Sequence, residues 1–205
     1  MSRVIRSRMV RLLAVVLALT GLAVVPATAA QAASSCSSYG SYWNRGPYFY
    51  AGLSASTDQR RTVVLDQASP YQTVAPGYVH MWHSNGPTQN QLWCLGRHTN
   101  NDGSYSYQVR NLQTGLCLDV QDDNQYAGDP VWLWTCKSLS DSTVWSQMWG
   151  IRSDGTAGTP DGTKTVYYFR TYSDAYCLDV KDKGTADGTA LQIWTCSYAG
   201  NQLFY

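Results

Sequence analysis

Asp66, Asp119 and Asp179 each follow a leucine, and each is followed 16, 15 and 15 residues later by a tryptophan: Trp82, Trp134 and Trp194. Beyond each tryptophan comes a pair ending in glutamine: Asn90-Gln91, Ser146-Gln147 and Asn201-Gln202. A carboxylate accepts two hydroxyls at once, an amide both donates and accepts, and an indole face packs on C–H bonds. A sugar ring, with one C–H face and a rim of hydroxyls, calls for all three. The same residues make a poor catalyst. All 14 acids are Asp, with no Glu, and most stand in turns or at repeat positions. Glycoside hydrolysis needs two carboxylates flanking the bond, one with a raised pKa. His80, His83 and His98 have no G-x-S-x-G elbow to accompany them. His80 and His83 form an H-x-x-H on a strand-like run, which sends the two rings to opposite faces. The expectation is therefore a binder: not an enzyme, with no metal and no cofactor.

These constellations recur because the chain repeats. One copy reads CLDV at 117–120, VWLWTC at 131–136 and SQMW at 146–149. The next reads CLDV at 177–180, LQIWTC at 191–196 and NQLF at 201–204. A weaker copy upstream reads VLDQ at 64–67, VHMW at 79–82 and NQLW at 90–93, with Val64 and Ser84 at its two cysteine positions. An aromatic, strand-favouring run precedes each: Tyr48-Phe49-Tyr50, Tyr105 to Val109, and Val166 to Phe169. Asn101-Asp102-Gly103, Asp154-Gly155, Asp161-Gly162 and Asp187-Gly188 are hairpin turns in type. Beyond residue 32 no ten-residue window has helical apolar spacing. Four short strands per copy, three times over, predict an all-β chain closed into a threefold barrel, the β-trefoil of three four-stranded repeats.

Six cysteines fit this plan. Cys117 to Cys136 and Cys177 to Cys196 both span 19 residues, which suggests one bridge inside each of two copies. Cys36 and Cys94 are left for each other, tying an N-terminal arm to the first repeat. Each bridge should contribute roughly 3 to 4 kcal/mol by loop-closure entropy. Without a C-x-x-C, zinc is the poorer reading.

Disulfides belong to an oxidising compartment, and the first residues agree. Arg3, Arg6, Arg8 and Arg11 lead an apolar stretch, Leu12 to Val25, that ends in Pro26 and PATAAQAA. This has the form of a cleaved secretory signal, too short at 14 apolar residues to span a bilayer. The division expected is 1–32 signal peptide, 33–45 N-terminal arm and 46–205 barrel, with repeats at about 46–103, 104–162 and 163–205. Removing residues 1–32, with four of the 15 basic residues and none of the 14 acids, leaves a charge of about −3. That lacks the basic footprint of a nucleic-acid binder. A secreted, extracellular monomer without a membrane span is expected.

Three in-phase copies of LD, QxW and NQxW resemble the ricin-type β-trefoil lectins and the similar carbohydrate-binding modules of family 13. The resemblance covers about residues 46 to 205. It implies one sugar pocket per copy: the Asp takes two hydroxyls, the tryptophan stacks, and the Asn-Gln pair finishes the rim and orients the Asp. Carried over, the third pocket is complete, with Asp179, Gln192, Trp194, Asn201 and Gln202. The first keeps Asp66, Trp82, Asn90 and Gln91 but has His80 for the Gln. The second keeps Asp119, Trp134 and Gln147 but has Trp132 for the Gln and Ser146 for the Asn. The order expected is third, first, second, with a polysaccharide or clustered glycan as partner. The plainer roles are turn-capping for the aspartates and burial for the tryptophans. Trp93, Trp149 and Phe204, with Leu65, Leu118, Leu178, Met81, Leu133 and Ile193, are expected in the core.

The copies depart from the family in length. Their aspartates lie 53 and 60 residues apart, beyond the usual period of about 40. The excess falls at 94–106 and 150–165, which should form protruding hairpins. A protease inhibitor or surface interaction protein acting through those hairpins is the alternative function.

Overall fold

The computed structural model describes residues 35–44, 63–86, 88–123, 125–159 and 162–205. The signal peptide expected at 1–32 and the run Tyr48-Phe49-Tyr50 lie outside these residues. Among the described residues eleven strands follow in chain order: β1 (Tyr42–Asn44), β2 (Val63–Gln67), β3 (Val79–His83), β4 (Trp93–Thr99), β5 (Tyr105–Asn111) and β6 (Cys117–Val120), then β7 (Val131–Trp134), β8 (Trp149–Thr159), β9 (Gly162–Thr171), β10 (Tyr176–Val180) and β11 (Thr189–Thr195). Among these residues only short 3-10 turns interrupt them. The all-β fold is a β-trefoil. All strand pairings are antiparallel.

Strands β4, β5, β8 and β9, with the Tyr167–Phe204 bridge, build the barrel wall. The hairpins β2–β3, β6–β7 and β10–β11 cap it. Period-two alternation explains what each capping strand does. Leu65, Leu118 and Leu178 turn inward and are fully buried, as are Met81, Leu133 and Ile193 on the facing strands. The next residue, Asp66, Asp119 or Asp179, turns to the other face. Trp93, Trp149 and Phe204 fill the centre with no exposed surface. The two indoles donate Nε1–H to the carbonyls of Leu65 and Leu118 at 2.9 and 3.1 Å, so neither indole N–H is left unpaired.

The three caps are stitched into a ring. Gly77 N donates to Leu133 O, Gly128 N to Ile193 O and Gly188 N to Met81 O, at 2.8, 2.8 and 2.9 Å. Each glycine precedes the third strand of its own repeat and bonds the middle of that strand in the next, so the cycle closes after three steps. Contact is close at Gly77, where a Cβ would lie 2.9 Å from Leu116 Cδ1 and 3.2 Å from Leu133 Cβ.

Disulfides join Cys117–Cys136, Cys177–Cys196 and Cys36–Cys94. The last fastens the arm, whose β1 pairs with β4 at Cys94, Leu95 and Gly96. The hairpins at 94–106 and 150–165 form as the excess length suggests. The longer, β8–β9, is mostly exposed from Ser153 to Thr159 and from Gly162 to Thr165, beyond the barrel. Among the described residues no helix is long and apolar enough to cross a membrane.

Candidate functional site

The three aspartates sit on strands, not in turns, and each is nearly buried: Asp66 4%, Asp119 2% and Asp179 3% exposed. A carboxylate so placed must be hydrogen-bonded. In the third repeat Gln192 Nε2 donates to Asp179 Oδ1 at 3.1 Å. Asn201 Nδ2 and Gln202 Nε2 donate to Oδ2 at 2.7 and 2.9 Å. Burial pushes the Asp179 carboxyl above its ordinary value, opposed by the bonds from Gln202, Gln192 and Asn201. The first repeat has the same cage. Asn90 and Gln91 donate to Asp66 Oδ2 at 2.7 and 2.8 Å, and His80 Nε2 lies 2.9 Å from Oδ1.

Position for position, Gln192, His80 and Trp132 do one job. Trp132 Nε1 points at Asp119 Oδ1, though at 3.4 Å it is longer than an ordinary N–H···O bond. Three unlike side chains thus present an N–H to the same carboxylate oxygen. The replacements that read as losses in the sequence keep this contact.

The glutamines are anchors. Gln91, Gln147 and Gln202 have no exposed surface. Besides its aspartate, each donates to a carbonyl at the end of the preceding strand, His83, Thr135 or Thr195. Each accepts a backbone N–H just beyond it, from Asn85, Lys137 or Ser197. They lock the aspartate to the strand and do not line the cavities.

The second pocket departs most. Lys137 Nζ donates to Ser146 Oγ at 2.8 Å, to Thr143 O at 3.0 Å and to Asp123, and lies 3.7 Å from Asp119 Oδ2. It supplies the positive partner where Ser146 is too short to reach. Burial raises the Asp119 carboxyl, and Gln147, Lys137 and Trp132 oppose the rise. Lys137 was missed in the sequence. The signal was the coupled exchange within the repeats: Ser197 and Asn201 in one copy become Lys137 and Ser146 in the other.

Beside each aspartate stands its indole. Trp194 is 47% exposed, while Trp82 and Trp134 are half-buried. Trp82 stacks on His80 and Trp134 on Trp132, with ring centroids 5.0 and 4.9 Å apart. The cavities are about 250, 560 and 650 Å³ in chain order. In the third, Asn201 Oδ1 is buried with no hydrogen-bond partner among the described residues. The two histidines of the H-x-x-H bond different carboxylates, His80 with Asp66 and His83 with Asp187.

Residues 89–204 match the ricin-type beta-trefoil lectin domain-like family. The chain belongs to that family. This lectin domain is 43% identical over 82 residues to an agglutinin of Ricinus communis, a match covering 40% of this chain and 14% of that one. It is 32% identical over 88 residues to beta-galactoside-specific lectin 2 of Viscum album, covering 43% and 12%. The domain thus spans roughly an eighth of these relatives' length. Among solved structures, the designed threefold protein ThreeFoil superposes with a TM-score of 0.59 at 21% identity, over 77% of this chain and 94% of that one.

Proposed function

We propose that this lectin domain is a secreted, non-catalytic, monomeric carbohydrate-binding module of residues 46–205 that engages polysaccharide or glycan through its repeat pockets, the third foremost. The observation that carries the reading is the third cage. Asp179 is held by three amide donors beside a half-exposed Trp194, at the edge of the largest of the three repeat cavities described. Asp179, Asn201 and Gln192 meet the hydroxyl rim, Trp194 stacks on the C–H face, and Gln202 positions the carboxylate. Asp66, Trp82, Asn90 and Gln91 repeat this in the first pocket. Asp119, Trp134 and Gln147 do so less completely in the second.

The three disulfides suit an extracellular setting. The aspartates of the cages are held by amides, an imidazole, an indole and a lysine. Affinity per pocket is modest. A hexose has about a dozen heavy atoms, and at roughly −0.3 kcal/mol each the yield is near −4 kcal/mol, or about millimolar. Engaging several pockets on one polymer adds roughly a hundredfold.

The test is a titration against a panel of soluble polysaccharides, with β-galactosides first on account of the Viscum album relative, using the wild type and Asp179→Ala. Saturable binding that falls sharply in the variant supports the reading. Absence of binding across the panel overturns it and turns attention to the long hairpins and proteases.

A further inference from the structure

A fourth cleft, of about 340 Å³, lies outside the repeat pockets. It is formed by the β4–β5 turn, the start of β8 and the β9–β10 turn, through Asn101, Asp102, Tyr105, Arg152, Tyr172 and Asp174. Tyr105 is 42% and Tyr172 47% exposed, and Tyr172 packs at 4.3 Å, centroid to centroid, on Trp145, itself 43% exposed.

The pseudo-threefold symmetry shows what this place is. Aligning Trp93 with Trp149 and Cys117 with Cys177 pairs Cys94 with Gly150, Gly96 with Arg152 and Leu112 with Tyr172. Around Cys94, Gly96 and Leu112 the chain's own arm fills the space. Cys36 bonds Cys94, Tyr39 donates to Leu112 O at 2.9 Å, and the Tyr42 ring lies so near Gly96 that a Cβ would approach it to 2.7 Å. Around Gly150, Arg152 and Tyr172 no described segment is fastened in this way. The tethering cysteine is a glycine, and Arg152 occupies the position that must stay bare, its guanidinium donating to Tyr105 O at 3.1 Å. The position of the buried Leu112 carries a half-exposed Tyr172 instead.

What remains is a concave site with large rings beside an amide, two carboxylates and a guanidinium, the same functional groups the repeat pockets use. It also adjoins one of them. Thr143 lines the second repeat pocket, and Trp145, two residues on, leads over to Tyr172. We propose that this cleft is a fourth carbohydrate subsite, and that a polysaccharide chain runs from the second repeat pocket across the Trp145–Tyr172 pair into it. The proposal rests on the carbohydrate-binding reading above, and accounts for why only this copy places a tryptophan where the others have Gln89 and Gly200.

The experiment compares wild type, Trp145→Ala/Tyr172→Ala and Asp66→Ala/Asp179→Ala on the same polysaccharide panel and on the corresponding disaccharides. Both rings are exposed, so the first variant should melt within a few degrees of wild type. The expected result is a loss of at least tenfold in polymer affinity with disaccharide affinity unchanged. The aspartate variant loses disaccharide binding instead, and Trp145→Phe/Tyr172→Phe restores most polymer affinity. Polymer binding by the alanine variant within twofold of wild type overturns the fourth subsite while leaving the repeat pockets standing, and points to a protein partner for the cleft. No binding by the wild type to any member of the panel overturns both readings together.

Discussion

The second and third repeat pockets share a backbone plan and differ in what completes the aspartate's cage. In the third, Asn201 reaches Asp179 with its amide nitrogen and keeps its oxygen free. In the second, Ser146 cannot reach Asp119, and Lys137 enters to bond Ser146, Asp123 and the Thr143 carbonyl. Both aspartates are equally buried and anchored by an equivalent glutamine. The lesson is that a cage can keep its fold-building half while its ligand-facing half is rebuilt. The glutamine and the strand are common property, and the group at the Asn position differs: Asn201 bonds Asp179 directly, whereas Ser146 bonds Lys137.

Breaking the common half should cost most. Gln202→Ala and Gln147→Ala each strand a buried carboxylate, a carbonyl and a backbone N–H, so each should lose about 3 kcal/mol in denaturant unfolding, with little difference between copies. Breaking the half that differs should separate the pockets. Lys137→Ala removes the cation beside Asp119 and should cost about 2 kcal/mol. Lys183→Ala, at the exposed rim of the third pocket, should stay within about 0.5 kcal/mol in the same assay. The reciprocal exchange sharpens the point: Lys137→Ser with Ser146→Asn should give the second pocket measurable monosaccharide binding by titration calorimetry. Smaller still is Trp194→Ala, expected to weaken sugar binding by roughly tenfold through the lost stacking face, with melting barely moved.

Acid should also divide binding from stability. Burial holds the Asp179 and Asp119 carboxyls above their ordinary value. Between the unfolded and the higher folded pKa the native chain carries more protons than the unfolded one. The contribution of these two groups to stability therefore falls as pH rises through that window, and is most favourable below it. Binding has the opposite sign, because the ionised carboxylate is the hydroxyl acceptor. Affinity at the third pocket should fall on acidification at a pH above that of an ordinary Asp, about 3.9. Parallel titrations of binding and of thermal midpoint from about pH 7 to pH 4 check both signs; affinity that holds until the protein unfolds would contradict them.

Much of this was legible in the residues. The LD, QxW and NQxW spacing pointed to the all-β trefoil and its core, because each motif is a stretch of period-two alternation repeated in phase; of the twelve strands expected, eleven strands lie among the described residues, one of them in the N-terminal arm. Cysteine spacing alone suggested the bridges that the structure contains. What escaped is what depends on neighbours distant in the chain. The ring of bonds from Gly77, Gly128 and Gly188 links different repeats, and no local pattern announces it. Lys137 carries no local signal of its role because its partners Asp123 and Ser146 lie on two other segments. The fourth cleft exists through contrast with the arm at Gly96, visible only once both hairpins are superposed.

The most direct test of the account is a calorimetric titration of one monosaccharide, a β-galactoside, into wild type, Asp179→Ala and Asp119→Ala. The account predicts that Asp179→Ala loses roughly thirtyfold or more, the equivalent of about 2 kcal/mol for hydrogen bonds to a charged acceptor, while Asp119→Ala stays within twofold. Equal losses in the two variants, or a loss confined to Asp119→Ala, would contradict it.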